Sequence, residues 1–199
     1  MIAAIPPKPH LVQEEFAYWE GFLTKEDIDT ILALPQWHDI QEAQVGSDVN
    51  NSVTNKNVRT TDIVWWVPCE KTKHIWEKIV TTIADVNNQF FHFDLTGCYE
   101  PAQLGLYKAK DKGHYDWHID AGVKGSAPRK LSMTLLLSDP DDFKGGNLEL
   151  KTINDQPITV EQQQGRAFFF PSYTLHRVTP VTKGIRRSLV MWIGGPPFK

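Results

Sequence analysis

Apolar residues fall at helical spacing in the first half of the chain and at strand spacing in the second. Ile28, Ile31, Leu32 and Leu34 form one stripe. Thr24 stands ahead of it as an N-cap, with Asp27 three residues later, and Pro35 stops it. This predicts a helix over 22–34. Ile75, Trp76, Ile79, Ile83 and Val86 form a second stripe and predict a helix over 70–90. Between them, 61–67 (TDIVWWV) reads as a strand. The stretch 41–58 is polar and holds Asn50, Asn51, Asn55 and Asn57. A loop that long is a functional lid or an unstructured segment, and both readings stay open. Residues 1–13, with Pro6, Pro7 and Pro9, read as an arm.

From about residue 102 the period falls to two. Candidate strands lie at 103–108, 114–120, 130–138, 147–151, 157–160, 166–170, 174–179 and 186–193. Turns are expected at Asp111-Lys112-Gly113, Ala121-Gly122, 139–142, Lys144-Gly145-Gly146, Asn154-Asp155 and Lys183-Gly184. Short strands in this number predict a barrel or a two-sheet jelly roll, mostly β with supporting α. The two helices are expected to pack on one outer face of a sheet. The division expected is one domain over 1–199, with 1–100 as helical support and lid loop and 101–195 as the jelly-roll core.

Composition narrows the partners more than the fold. The 199 residues carry a formal charge of -3. The totals show no basic footprint, so a nucleic-acid partner is not expected. No apolar run is long enough for a membrane span. The N-terminal sequence lacks a basic region followed by a long apolar stretch, so it does not read as a secretory signal. Two cysteines, Cys69 and Cys98, are too few for a disulfide scaffold or a Cys-rich zinc site, and a reducing cytoplasm is expected. The 7 Trp, 5 Tyr and 10 Phe point to a deep aromatic interior or pocket.

The candidate chemistry begins with histidine and aspartate. Side chains at i and i+2 leave the same face of a strand, so an H-x-D triplet can present an imidazole and a carboxylate to one ion. With 7 His and 14 Asp, less than one such triplet is expected by chance, yet three occur. His92-Phe93-Asp94 follows the second helical stretch, ahead of the β-rich region. His114-Tyr115-Asp116 and His118-Ile119-Asp120 share one predicted strand, with all four side chains expected on one face. The second pair sits at the strand's end, where a jelly roll is most accessible. His176, between the candidate strands 166–170 and 186–193, is the candidate third ligand. Together they would form a 2-His-1-carboxylate triad, which leaves positions open for a cosubstrate and O₂ on non-haem iron. In the last strand Arg186, Ser188 and Val190 alternate with Arg187, Leu189 and Met191. An Arg and a Ser pointing into a barrel need a polar partner, and a carboxylate matches their donors. The alternative is that one of the two arginines faces solvent.

These residues resemble a known family. Tyr107 and Gly113-His114-Tyr115-Asp116-Trp117-His118-Ile119-Asp120 are similar to the ligand-bearing strand of the Fe(II)/2-oxoglutarate-dependent dioxygenases, prolyl-4-hydroxylase-like branch. Arg129–Ser132, Leu137-Ser138-Asp139 and Phe143–Glu149 resemble the central hairpin of that branch. Phe169-Phe170-Pro171-Ser172 with His176–Val181 and Gly184-Ile185-Arg186 resembles its distal-histidine segment. The resemblance implies a double-stranded β-helix (jelly roll). It implies His118, Asp120 and His176 as metal ligands, and Arg186, ten positions after His176, as the 2-oxoglutarate anchor assisted by Tyr107 and Ser188. It also implies Fe(II), 2-oxoglutarate as cosubstrate, O₂, and ascorbate as reductant. The reaction implied is hydroxylation of an unactivated C–H, in a peptidyl proline or another amino-acid side chain, with release of succinate and CO₂. Asp120 favours hydroxylation, since related halogenases lack this carboxylate. Two features depart from the pattern: animal prolyl hydroxylases commonly anchor with Lys, and His114 and Asp116 have no family role.

The substrate is expected to be a peptide or amino acid, with Trp65, Trp66 and Trp117 as a candidate aromatic wall. Two other readings compete. A cupin-like isomerase or hydrolase would keep the metal ligands but need no anchor, and a non-catalytic jelly-roll module would need neither.

Overall fold

The alternating second half of the chain forms two antiparallel sheets in the computed structural model, which describes residues 14–45, 53–122, 128–154 and 156–197. The arm at 1–13 and the centre of the 41–58 loop lie outside the described residues. The strands in chain order are β1 (Ala17–Trp19), β2 (Gln41–Glu42), β3 (Arg59–Thr60), β4 (Asp62–Trp66), β5 (Ala102–Lys108), β6 (His114–His118), β7 (Arg129–Leu136), β8 (Phe143–Gly145), β9 (Leu148–Lys151), β10 (Pro157–Thr159), β11 (Ala167–Pro171), β12 (His176–Val178) and β13 (Val181–Gly194). The major sheet runs β1-β11-β7-β13-β5-β4-β2, with β8 also paired to β13, and the minor sheet runs β10-β9-β12-β6-β3. All pairings are antiparallel among the described residues. This is the expected jelly roll.

Both helices form, and each ends for a local reason. Helix α1 (Lys25–Leu32) starts at a capping box. Thr24 Oγ1 accepts from the Asp27 amide at 3.1 Å, and the Thr24 amide donates to Asp27 Oδ2 at 3.0 Å. Lys78 of α2 (Lys73–Val86) donates to the same Asp27 carboxylate at 3.1 Å and ties the helices together. Helix α2 tightens into a 3₁₀ turn at its start and widens into a π turn over Asn87–Phe91. His92 then takes a left-handed conformation (φ 57), and Asn87 clasps the Phe93 backbone through its side-chain amide. Both ends therefore fall inside the predicted span.

The alternation sets the layers. Ile28, Ile31, Ile75, Ile79 and Ile83 pack on Val64, Trp66, Leu104, Met133, Phe169, Leu189 and Met191 from one face of the major sheet. The opposite face closes against the minor sheet through Phe168 and Phe170 with Leu148, Leu150 and Val160. At the other end, Tyr107, Val178 and Val181 make a second small apolar plug.

Three expectations need correcting. Lys183-Gly184 is not a turn: it lies within β13, whose first residues pair with β8, and Gly184 (φ 71) only bends the strand. The hundred N-terminal residues are more than helical support, since β1 to β4 join both sheets. The four side chains of the double H-x-D stretch do not share a face. In β6 the partners of His176 and Val178 are His118 and Tyr115, so three steps on β6 oppose two on β12. That bulge shifts the alternation by one. Tyr115 and His118 point inward together, while Asp116 is exposed and His114 turns to the carbonyls of Lys112 and Asn57.

Candidate metal centre and its cavity

The space between the sheets, bounded by the two apolar plugs, is a cavity of about 880 Å³ open at one side. His118, at the end of β6, and His176, at the start of β12, face each other across the minor sheet as register partners. Asp120 follows two residues after β6, where its own amide and that of Ala121 both donate to the Ser172 carbonyl. These three residues are the sequence-predicted ligand set, and the fold brings them together. Their ligand-type atoms lie within 4.8 Å of one another.

The orientation of each group suits a cation. His118 Nδ1 lies 2.7 Å from the Asp116 carbonyl, and His176 Nδ1 lies 2.9 Å from the Thr174 carbonyl. A carbonyl only accepts, so each Nδ1 carries the proton and each Nε2 turns a lone pair inward. Those lone pairs meet Asp120, at 3.8 Å from His118 and 3.5 Å from His176. Three acceptors converging without a donor are mutually unfavourable until a positive ion sits between them. Ser132 Oγ donates to Asp120 Oδ2 at 2.7 Å and meets Ser172 Oγ at 3.0 Å, which fixes the carboxylate. Burial pushes His118 down to about 3, and the neighbouring His176 adds to that. Burial acts to raise Asp120, but His176, His118 and the Ser132 hydrogen bond hold its carboxyl below the usual value. The donor set is thus two imidazole nitrogens and a carboxylate. By contrast, His92 is exposed at the end of the π turn, so the first triplet contributes nothing here.

The predicted anchor residues line the same cavity. Arg186, Ser188 and Val190 of β13 face it, and Leu189 and Met191 face the helices, as the alternation requires. Arg186 is 4% exposed, and its Nε and Nη1 have no hydrogen-bond partner. Its guanidinium lies 5.2 Å from the Tyr107 ring centroid. Burial pushes its pKa below the ordinary value, partly offset by Tyr107. Gly146 (φ 62) makes room beside it: a Cβ there would lie 2.8 Å from Arg186 Cδ. Ser188 stands opposite Gly105 of β5, where a Cβ would come within 3.1 Å of its Oγ. A buried guanidinium with unused donors at the end of a cavity fits a carboxylate delivered by a small molecule.

The proposed aromatic wall is only partly right. Trp65 lines the cavity, but Trp66 is fully buried against Trp76, and Trp117 lies outside the cavity between Arg177 and Lys151. The partner of Trp65 is Trp192, with ring centroids 6.4 Å apart. Trp192 continues the alternation from Arg186, Ser188 and Val190, so the sequence carried that signal. Gln103 likewise alternates with Tyr107. Arg59, Tyr115 and Arg129 also line the cavity. Tyr115 stacks on His118 with centroids 3.4 Å apart, a contact hidden from sequence by the bulge. Arg129 lies over Trp192 at 3.8 Å, donates to the Asp120 carbonyl and pairs with Glu100 through two nitrogens.

Residues 102–194, from β5 to the end of β13, match the 2OG-Fe(II) oxygenase superfamily. A PKHD-type hydroxylase of Synechococcus is 40% identical over 88 residues, covering 44% of this chain and 40% of that protein. A second, from Teredinibacter turnerae, is 38% identical over 98 residues, covering 47% and 42%. The matched part of this chain therefore spans about two fifths of those relatives. Among solved structures, a Pseudomonas putida prolyl-4-hydroxylase superposes with a TM-score of 0.70 at 19% identity, covering 92% of this chain and 93% of that one. A Trichoplax adhaerens prolyl hydroxylase, solved with a hypoxia inducible factor peptide fragment, gives 0.74 at 20% identity, covering 90% and 83%. These likenesses show the fold.

Proposed function

Since residues 102–194 match the 2OG-Fe(II) oxygenase superfamily, we propose that this chain is an Fe(II)- and 2-oxoglutarate-dependent dioxygenase. It hydroxylates an unactivated C–H of a peptidyl proline or another amino-acid side chain and releases succinate and CO₂. The observation that carries this reading is the pairing of the His118–Asp120–His176 cluster with an unpartnered buried Arg186 in one cavity. A cupin-like isomerase would have no use for that guanidinium, and a non-catalytic module no use for either feature.

The residues divide the work. His118, Asp120 and His176 would hold iron and leave room at it for small ligands. Arg186, with Tyr107 and Ser188, receives the far carboxylate of 2-oxoglutarate and so orients its other end toward the triad. Iron with 2-oxoglutarate and O₂ supplies the oxidising power that no side chain has, coupling decarboxylation of the cosubstrate to insertion of oxygen into C–H. Ser132 fixes the Asp120 carboxylate, and the carbonyls of Asp116 and Thr174 fix the imidazoles. The Phe170 and Leu148 side chains exclude water from the floor. Trp65 and Trp192 offer an apolar contact for the substrate at the rim.

The PKHD-type relatives and the peptide-bound prolyl hydroxylase support an amino-acid or peptide substrate. Residues 1–100 would support and cover a catalytic core at 101–195 in one working unit. Ascorbate would keep the iron reduced. Both cysteines are unpaired, which supports a cytoplasmic setting. No described helix is long and apolar enough to cross a membrane. The test is conversion of 2-oxoglutarate to succinate by protein supplied with fresh Fe(II) and O₂, screened against proline-containing peptides and free amino acids. Succinate formation raised by one substrate class is expected. Neither binding of 2-oxoglutarate nor succinate would sink the reading.

A further inference from the structure

Two guanidinium groups line the cavity without a carboxylate partner among the described residues, and the dioxygenase reading uses only Arg186. The other is Arg59, at the start of β3. It is 8% exposed, and its Nε is buried without a hydrogen-bond partner. Its Nη2 donates to Gln103 Oε1 at 2.7 Å, and its plane lies 4.4 Å from the Tyr115 ring centroid. Arg129, Arg166 and Arg177 are each neutralised, by Glu100, by Glu20 with Glu161, and by Glu149. Among the described residues, Arg59 has only a neutral amide and a ring.

A buried cation left in that state is costly, and an anion arriving from outside recovers the cost. The location says which anion. Arg59, Tyr115 and His118 stack in sequence, at 4.4 Å and then 3.4 Å, so the guanidinium sits one ring away from a metal-ligating imidazole. The two carboxylates of 2-oxoglutarate are already assigned, one toward the metal and one to Arg186. Of the carboxylates lining the cavity besides the metal-ligand candidate Asp120, Glu42 is held by Lys56 and Glu100 by Arg129, so neither is left unbalanced to repel an acid.

We propose that Arg59, oriented by Gln103, binds a carboxylate of the primary substrate, which is therefore a carboxylate-bearing amino-acid unit. The inference rests on the dioxygenase reading for the role of the cavity. The carboxylate comes either from the α-carboxyl of a free amino acid or from an acidic side chain beside the target residue of a peptide.

Calorimetric titration into full-length protein saturated with 2-oxoglutarate and Zn(II), which has no redox chemistry, separates these sources. One pair of probes is L-proline and L-prolinamide. The other is a blocked tetrapeptide Ala-Pro-Asp-Ala and its Ala-Pro-Asn-Ala counterpart. The acid of one pair is expected to bind at least about ten-fold tighter than its amide, the scale of one charge-assisted contact. Arg59→Gln should bring that preference within about two-fold, and Arg59→Lys should keep part of it. 2-Oxoglutarate binding, titrated first in every sample, should be unchanged in both variants, which also shows that they fold. Equal binding of acid and amide in both pairs, or a preference that survives Arg59→Gln, overturns the proposal. Failure of the unaltered protein to bind 2-oxoglutarate overturns the dioxygenase reading instead, and the acid preference is then still read on the protein alone.

Discussion

The two faces of the major sheet are made by the same strands and differ in almost everything else. On β13, Leu189 and Met191 face the helices with essentially no exposure, while Arg186 and Ser188 face the cavity and are just as buried. On β5, Leu104 and Gln103 divide in the same way. The helix face carries a close-packed layer of apolar side chains. The cavity face holds an unpaired guanidinium, and the minor sheet across the cavity adds, among the described residues, a second cation with only a neutral partner and most of a cluster of three converging acceptors. A fold stabilised by one side of a sheet can tolerate unsatisfied groups on the other, and ligand binding is what satisfies them.

The largest separation should come from one substitution on each face. Asp120→Ala removes the only carboxylate of the metal cluster, so succinate production should fall to background. The metal-free variant should unfold within a few degrees of the original, because Ser132 keeps its contact with Ser172. Leu189→Ala should do the reverse. Emptying a fully buried leucine site costs about 2–5 kcal/mol, while 2-oxoglutarate affinity at a temperature where the protein is folded should not change. Thermal melts and succinate assays on both variants decide it. Asp116→Ala, within the bulged strand but outside the cavity, should spare iron binding. Loss of iron from that variant instead would assign the metal to the His114–Asp116 pair.

A smaller effect is expected at the anchor. Arg186→Ala deletes a group whose Nε and Nη1 make no hydrogen bond in the free protein, so thermal stability should hold or rise. It deletes the partner of an incoming carboxylate, so 2-oxoglutarate should bind about 10- to 100-fold more weakly, the range for losing charge-assisted hydrogen bonds. Arg186→Lys should fall between, since a point charge lacks the paired donors. A marked loss of stability in Arg186→Ala would mean that the guanidinium serves the helix-face core and that the two faces are less distinct than they look.

How much of each face is legible in the amino-acid sequence follows from its physics. Period-two alternation alone places Leu189 and Met191 opposite Arg186 and Ser188, and it extends to Trp192 and Gln103. His118, Asp120 and His176 are legible because two of them lie in one motif and family resemblance selects among three copies. Alternation fails at β6, where the bulge exchanges Tyr115 for His114 and Asp116; a bulge has no residue signature in His114–His118. Arg59 is hidden because it borders the polar 41–58 stretch, and its burial depends on β3 pairing with β6 far along the chain. β8 is only three residues long, too short to show a period.

The finest distinction between the faces is their response to pH in the metal-free protein. Burial, with the neighbouring His176 adding to it, holds His118 near 3, against an ordinary 6.5. A histidine whose pKa is lowered on folding binds its proton more readily in the unfolded chain. Stability should therefore fall as pH drops below about 6.5 and continue to fall toward about 3. Asp120 acts in the same direction lower down: its carboxyl is held below 3.8, so the stability it contributes is present above that value and lost as pH falls through the folded pKa. Leu189→Ala removes no titratable group, so it should lower the melting temperature by a similar amount at each pH and give a curve parallel to the original. His118→Asn removes the proton acceptor and should flatten the slope between about pH 6.5 and pH 4. Melting curves of metal-free protein across that range check it. Parallel curves for His118→Asn and the unaltered chain would show that the acid sensitivity arises elsewhere, and that the cavity face carries no stored electrostatic cost at His118.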